Sequence, residues 1–224
     1  MQQLAKYLAF VLLSFTMTSC FEILEETKLN RDGSGFHSLK VNMSQSKMKL
    51  ASIMELDSIQ GHKVPKEVDI VKKMNAIKRT LEETKGITNS KVNYDFDEYI
   101  FGISYEYADL HSMKTAIWNV AKQNKGKAKD SVKIFESTTH VQNTFKRNIN
   151  INFLQAFNKL EEEDKSVIKD ATYTWVGRFE QEISKSSNAN TKISKSKRAF
   201  MLRSKLSDII FGTNSIENTV VLKE

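Results

Sequence analysis

Apolar and polar residues alternate at Leu39, Val41 and Met43, following the stretch Phe21-Glu22-Ile23-Leu24-Glu25-Glu26-Thr27-Lys28-Leu29-Asn30 and the turn Arg31-Asp32-Gly33-Ser34-Gly35. Period-two alternation beside Asp-Gly turn chemistry predicts a β-hairpin. The period then changes. Ser44 is placed to cap a short helix carrying Leu50, Ile53 and Met54. Ile70, Val71, Met74, Ile77 and Leu81 recur at the 3.6-residue spacing of one helix face, with Pro65 suited to the first turn and Gly86 to the stop. Ile77 is expected in the core, and Lys72, Lys73, Arg79, Glu82 and Glu83 form the solvated side. Tyr99, Phe101, Ile103, Tyr105 and Tyr107 again take alternate positions, with Gly102, Ser104 and Glu106 between them, which predicts a second hairpin. Asp109 then caps a helix with Leu110, Met113, Ile117, Val120 and Ala121 on one side.

Beyond a lysine-rich break at 122–129, Val132, Ile134 and Phe135 read as a strand, and Val141 with Phe145 as its partner. Asn152 to Asp170 reads as one helix through Phe153, Phe157, Leu160 and Val167, with Glu161, Glu162, Glu163 and Asp164 outside. Tyr173, Trp175, Gly177, Phe179 and Ile183 alternate through a further strand. A loop from Ser184 to Ser196 leads to a strand at Ala199 to Leu202, a helical turn from Leu206 to Phe211 and a last strand from Asn218 to Leu222. Strands joined mostly as hairpins and mixed with helices predict an α+β fold: a largely antiparallel sheet built from hairpins, with helices packed on one face.

The first residues follow a different pattern. Lys6 precedes the apolar run Tyr7 to Phe15, and small or polar residues follow up to Cys20. This is the layout of an export signal, and the run is roughly half the ~20 residues needed to span a bilayer. Met17-Thr18-Ser19-Cys20 resembles the lipobox of bacterial lipoproteins, which implies diacylglycerol on the Cys20 sulfur and cleavage before it. An ordinary cleavage site beside an incidental cysteine is the alternative. Cys20 is the only cysteine, so no disulfide partner accounts for it. The reading divides the chain into a signal peptide, residues 1–19, and a single domain, residues 20–224, anchored to the membrane through Cys20. One acyl chain binds a membrane marginally, and two or more anchor it stably. Phe21 rather than Asp follows Cys20, which points to the outer membrane. Glu22, Glu25 and Glu26 are interrupted by Ile23 and Leu24, a broken form of a surface-export tract, so the periplasmic side is favoured over the cell surface.

Composition excludes more than it assigns. In 224 residues, 40% hydrophobic and 27% charged with one proline and eight glycines, the mix is that of a globular protein rather than a repeat or a disordered tail. A lone cysteine rules out a disulfide framework and multi-cysteine metal sites. His37, His62, His111 and His140 are scattered without metal-binding spacing, and no nucleotide-loop or Gly-x-Ser-x-Gly motif occurs. No metal, cofactor or catalytic residue is assigned. Asp32-Gly33-Ser34-Gly35 reads as a turn rather than a calcium loop, since the further acids of such a loop are missing. Asp95, Asp97 and Glu98 read as wet loop residues rather than an acidic site. Tyr94, Phe96, Tyr99, Phe101, Tyr105 and Tyr107 pack in a core or, if exposed, form a ligand platform. The net charge of +7 gathers at Lys122, Lys125, Lys127 and Lys129 and at Lys185, Lys192, Lys195, Lys197 and Arg198. Export argues against nucleic acid as the partner, leaving solvated loops or contact with anionic headgroups.

Three stretches together carry a family resemblance. They are the first hairpin with its Asn42-Met43-Ser44 exit, Tyr105-Glu106-Tyr107-Ala108-Asp109-Leu110, and Tyr173-Thr174-Trp175 through Phe179 with Ile193-Ser194. The chain resembles uncharacterised Bacteroidota-type envelope lipoproteins whose domain is similar to the mycobacterial LppM-like domain. Gln181 and Glu182 late in the Tyr173 strand depart from that pattern. The resemblance implies the anchor and the fold and carries no catalytic residues. The function expected is a lipid-anchored, non-enzymatic envelope protein that binds a partner protein, envelope polymer or lipid at the membrane surface. The alternative is an envelope hydrolase with an acidic site hidden from sequence spacing.

Overall fold

The computed structural model describes residues 21–59, 61–123, 137–149 and 152–224. The expected signal peptide, Cys20, the strand at Val132 to Phe135, and Lys125, Lys127 and Lys129 lie outside the described residues. The predicted fold class is observed, a mixed α+β architecture. The first hairpin is β1 (Glu22–Leu29) and β2 (Gly35–Asn42), followed by a 3₁₀ turn and α1 (Lys47–Met54). A small ribbon, β3 (Ser58–Ile59) and β4 (His62–Lys63), leads to α2 (Glu67–Glu83), and the second hairpin is β5 (Ile87–Asp95) and β6 (Ile100–Tyr107). Then come α3 (Leu110–Gln123), β7 (Thr138–Val141), β8 (Thr144–Arg147), α4 (Phe153–Asn158) and α5 (Glu162–Lys169). The chain ends with β9 (Thr172–Phe179), β10 (Ile183–Ser186), β11 (Lys192–Ile193), β12 (Ala199–Lys205), α6 (Leu206–Ile210) and β13 (Asn218–Leu222).

The main sheet has the order β11-β12-β9-β1-β2-β6-β5, and a four-stranded sheet the order β10-β13-β8-β7. Among the described residues only β1 and β9, side by side in the main sheet, pair in parallel. In β1, Ile23, Glu25, Thr27 and Leu29 share one face. Register places beside them His37 of β2, Tyr105 and Tyr107 of β6, Tyr173, Trp175 and Phe179 of β9, and Phe200 and Leu202 of β12. Met113 and Ala116 of α3, Leu81 of α2, and Phe145, Val220 and Leu222 of the second sheet join this face in one apolar core. The other face is wet. There Arg178 pairs with Glu26 at 2.6 Å and Arg203 with Glu22 at 3.5 Å, and Glu22 also accepts from the Thr174 hydroxyl. Two of the three acids read as a broken export tract are thus cross-strand partners.

The sheet has two distinct ends. At one, Glu22 pairs with Asn42 and Thr172, Asn42 pairs with Ile100, the Met43 amide donates to the Tyr99 carbonyl, and the Thr172 amide donates to the Phe21 carbonyl. The chain leaves β1 toward Cys20 from this Glu22 end. Seven strand steps of ~3.3 Å separate it from the Leu29 end, about 23 Å away. The turn at Gly33 and the loop that carries Lys195, Lys197 and Arg198 lie at the Leu29 end, where the Phe179 amide donates to the Arg198 carbonyl.

Several boundaries differ from the sequence expectation for local reasons. Pro65 precedes the α2 N-cap, Lys66, instead of occupying the first turn; at the other end an extended Thr84 caps the helix, and Gly86 at φ +82° turns the chain into β5. Ser44 opens a 3₁₀ turn, and α1 has Ser46 at its N-cap without a side-chain cap bond. Val141 and Phe145 fall on two strands, because Gln142 turns the chain at φ +51°. The helix expected over Asn152 to Asp170 is split, since Glu161 adopts an extended conformation and starts α5 afresh. Alternation from Tyr173 stops at Phe179, and Ile183 belongs to the second sheet. Ile77 is partly buried against the core, and Leu81 is the fully buried residue of α2.

Candidate functional site

Two features stand out as chemistry: a buried polar cluster between the sheets and an apolar pocket at the Glu22 end. The cluster begins with Glu25, placed by β1 on its inward face at 1% exposure. Arg147, fully buried at the end of β8, meets it with both terminal nitrogens: Nη2 bonds Oε1 and Nη1 bonds Oε2 at 3.2 Å. The Tyr173 hydroxyl donates to Glu25 Oε2, and Arg147 Nη1 lies 3.2 Å from the same hydroxyl. The Arg147 guanidinium also stacks on Trp175 at 3.6 Å from the ring centroid, an arrangement suited to its planar, weakly hydrated cation. Thr27 Oγ1 donates to Glu25 Oε1 at 3.3 Å and lies 3.5 Å from His37 Nδ1. With the Thr27 proton on Glu25, its oxygen is left to accept from Nδ1–H of His37.

The electrostatics follow from burial and pairing. Burial alone would raise the Glu25 pKa, but Arg147, His37 and the hydrogen bonds from Arg147 and Tyr173 hold it below the usual carboxylate value. Burial pushes His37 down to about 4, with Glu25 opposing and Arg147 assisting, so the ring is neutral at pH 7. Burial, with Glu25 adding to it, raises Tyr173 well above the usual phenol. Burial disfavours the Arg147 charge, and Glu25 outweighs it. The result is a buried charge pair bonded through both terminal nitrogens of Arg147 and further held by the Tyr173 and Thr27 hydroxyls, the kind of pairing that lets a charge survive in a core. It fastens β1 of the main sheet to β8 of the second. A substrate has no path to side chains this deeply enclosed, so the cluster is a structural clamp.

The pocket is different in kind. A cavity of about 250 Å³ lies where α1, the β3–β4 ribbon and the start of α2 cover the β5–β6 turn. Leu50, Ile53 and Met54 of α1 form one wall, and Phe96, Tyr99 and Phe101 the other. Ile59, Val64 and Ile70 close it, and His62 and Lys63 are the polar residues of its lining. Phe96 stands edge-on to Phe101 at 5.5 Å and tilted to Tyr94 at 5.8 Å. An apolar cavity with few polar groups fits a hydrocarbon chain or an apolar side chain.

The residues singled out in the sequence are distributed as follows. The six aromatics divide: Tyr105 and Tyr107 are core, Phe96, Tyr99 and Phe101 line the pocket, and Tyr94 is exposed beside it. Asp95 accepts from the Glu98 amide at 2.9 Å and Glu98 pairs with Lys47, so both acids serve the β5–β6 turn. Asp32 accepts the Ser34 amide and hydroxyl at 3.0 and 2.6 Å, bonds that hold the turn. His37 is in the clamp, His62 in the pocket lining, and His111 is exposed. No group of three or more His, Cys, Asp or Glu suited to a metal occurs among the described residues. Lys185, Lys192, Lys195, Lys197 and Arg198 are exposed. Sequence reasoning missed Glu25 and Arg147. Their signal was phase: each sits in register with apolar neighbours, Glu25 with Ile23 and Leu29, Arg147 with Phe145.

The described residues define an α+β domain with an apolar pocket at one sheet end, and no helix among them is long and apolar enough to cross a membrane. No family model and no curated protein matches the chain. Among solved structures, the folded domain of LppM from Mycobacterium tuberculosis is similar at 9% identity over 94% of each chain, with a TM-score of 0.43. That overlap is too loose to transfer residue roles or function.

Proposed function

We propose that the protein is a non-enzymatic envelope lipoprotein, held by a lipid on Cys20, which binds an apolar group of an envelope lipid or partner protein in the pocket between α1 and the β5–β6 turn. In this reading residues 1–19 are removed as a signal peptide, residues 20–224 form the mature domain, and it sits at the outer membrane on the periplasmic side. The pocket is the observation that carries the binding role: about 250 Å³ lined almost wholly by aliphatic and aromatic side chains. The cluster that would support a hydrolase instead, Glu25 with His37, Arg147 and Tyr173, is enclosed in the core and engaged with itself. That favours binding over hydrolysis.

Recovery of the lipidated protein from detergent-solubilised envelopes, with mass spectrometry of co-purifying lipid and protein, tests the binding role against the pocket variant Ile53→Asp. A ligand should accompany the wild type and be lost from the variant. Identical recovery from both would contradict the pocket as the binding site, and labelled fatty acid entering Cys20→Ala as well as wild type would contradict the anchor.

A further inference from the structure

We infer that the Glu22 end of the domain, and in particular the segment that carries α1 and the β3–β4 ribbon, is a membrane-docking face that lies against the bilayer surface holding the Cys20 lipid. The inference rests on the lipidation proposed above and adds which face meets the membrane and by what chemistry.

Phe21 is the one residue between Cys20 and the first residue of β1. A single residue spans at most ~3.6 Å, so a Cys20 whose acyl chains are in the bilayer brings the Glu22 end of the sheet into the headgroup region. β2 is the immediate neighbour of β1 and ends there, and residues 43–59 and 61–66 emerge from that same edge. Two strand spacings of ~4.8 Å separate β1 from β6, where Tyr99 and Phe101 line the apolar pocket.

The surface chemistry of this end agrees. Met48 is 84% exposed, and Leu56, Ile59 and Val68, the last in the opening turn of α2, also stand in solvent. These are large apolar side chains in solvent, on the same elements as the pocket, whose lining includes Ile59. Charge in this segment is balanced: Lys47 pairs with Glu98 and Lys66 with Asp57, and Lys49 and Lys63 are accompanied by Glu55, Asp95 and Asp97 in the same stretches of chain, while Lys205 lies at the β9–β12 side of this end, outside the segment. The exposed basic residues Lys195, Lys197 and Arg198 lie at the opposite end, about 23 Å away by strand rise. Docking therefore works by apolar insertion of a few side chains into the interface, not by lysines attracted to anionic headgroups, and needs no anionic lipid. The basic loop points away from the leaflet that holds the anchor.

The test uses the full lipidated chain in vesicles of zwitterionic phosphatidylcholine. Because the Cys20 sulfur is blocked by its lipid, Met48→Cys provides a single thiol for a nitroxide label, and Lys195→Cys provides the matching far-end control. Mass of the Cys20 peptide is read first, so that missing lipid counts against the proposed function and is separated from the docking result. With lipid present, the label at position 48 should be accessible to oxygen and shielded from a water-soluble paramagnetic reagent by several-fold relative to position 195, and the difference should persist at 1 M salt, a concentration that screens surface charge within ~3 Å. Equal aqueous accessibility at the two positions would overturn the docking face. Shielding at position 48 that is the same in lipid-free detergent and grows with protein concentration would overturn it too, by showing a contact between copies of the chain. Met48 is exposed, so its replacement leaves the core untouched.

Discussion

Glu25 and Arg147 stand 122 residues apart in the chain and meet inside the core. Removing one partner of such a pair strands the other charge in a low-dielectric site, which costs about 3–5 kcal/mol, whereas an apolar replacement of both is often tolerated. Arg147→Met should therefore lower urea stability by about that amount, and Glu25→Leu combined with Arg147→Met should restore much of the loss. A single change within about 1 kcal/mol of wild type would show that the clamp carries no weight. His37 supplies the pH dependence. Its folded pKa, about 4, lies below the ordinary 6.5, so below pH 6.5 the unfolded chain binds a proton that the folded chain refuses. Its stability contribution is complete above pH 6.5 and is lost as pH falls toward 4, roughly 3 kcal/mol in all at 1.36 kcal/mol per unit. Glu25, with its folded pKa lowered, adds a second loss beginning below about 4.5. Denaturation midpoints measured between pH 7 and 4 should fall for the wild type and flatten for His37→Gln, and parallel curves would remove His37 from the account. Gly177 is a steric case: an added Cβ would stand 2.2 Å from Phe200 Cε1, in a ring packed edge-on against Trp175 at 4.7 Å. Gly177→Ala should cost about 1–3 kcal/mol by overpacking.

Among the elements, α2 offers the clearest ranking. Leu81 exposes 1% and Ile77 is only partly buried, so Leu81→Ala should cost about 2–5 kcal/mol and Ile77→Ala clearly less. Equal costs would mean that the helix face is rotated from the one described. The two hairpins, α2 and α3 were readable in the chain because each rests on a local device: the Asp32 turn, the Asp95 turn that accepts the Glu98 amide, the glycine turn at Gly86 just past α2, and the Asp109 cap that accepts the Ser112 amide at 2.7 Å. The split between α4 and α5 was not, since Phe153, Phe157 and Leu160 keep helical spacing across a break set by the extended conformation of Glu161. The clamp escaped for a related reason. A glutamate on an alternating strand reads as solvent-facing until its partner is known, and Arg147 arrives from another sheet. The pocket walls were visible as a helix face at Leu50, Ile53 and Met54 and as aromatics at Phe96 and Phe101. That α1 leaves a gap over them is a property of packing between elements, which periodicity does not encode.

The molecule as a whole is polarised along its main sheet. Met48, Leu56, Ile59 and Val68 and the pocket stand at the Glu22 end, and the exposed Lys195, Lys197 and Arg198 stand at the Leu29 end. A domain docked as proposed would keep Lys195, Lys197 and Arg198 outward from the leaflet. If that leaflet faces the periplasm, trypsin added to intact cells should leave the chain whole and cut at Lys192 to Arg198 only after the outer membrane is breached; cleavage there on intact cells would place the domain at the cell surface. The placement of the domain at a membrane rests on the anchor, which is tested most directly by the intact mass of the protein extracted from membranes in detergent. The account predicts a chain that begins at Cys20 and carries the added mass of a diacylglyceryl group. A chain that retains residues before Cys20, or one that begins elsewhere with a free Cys20 thiol, would contradict it.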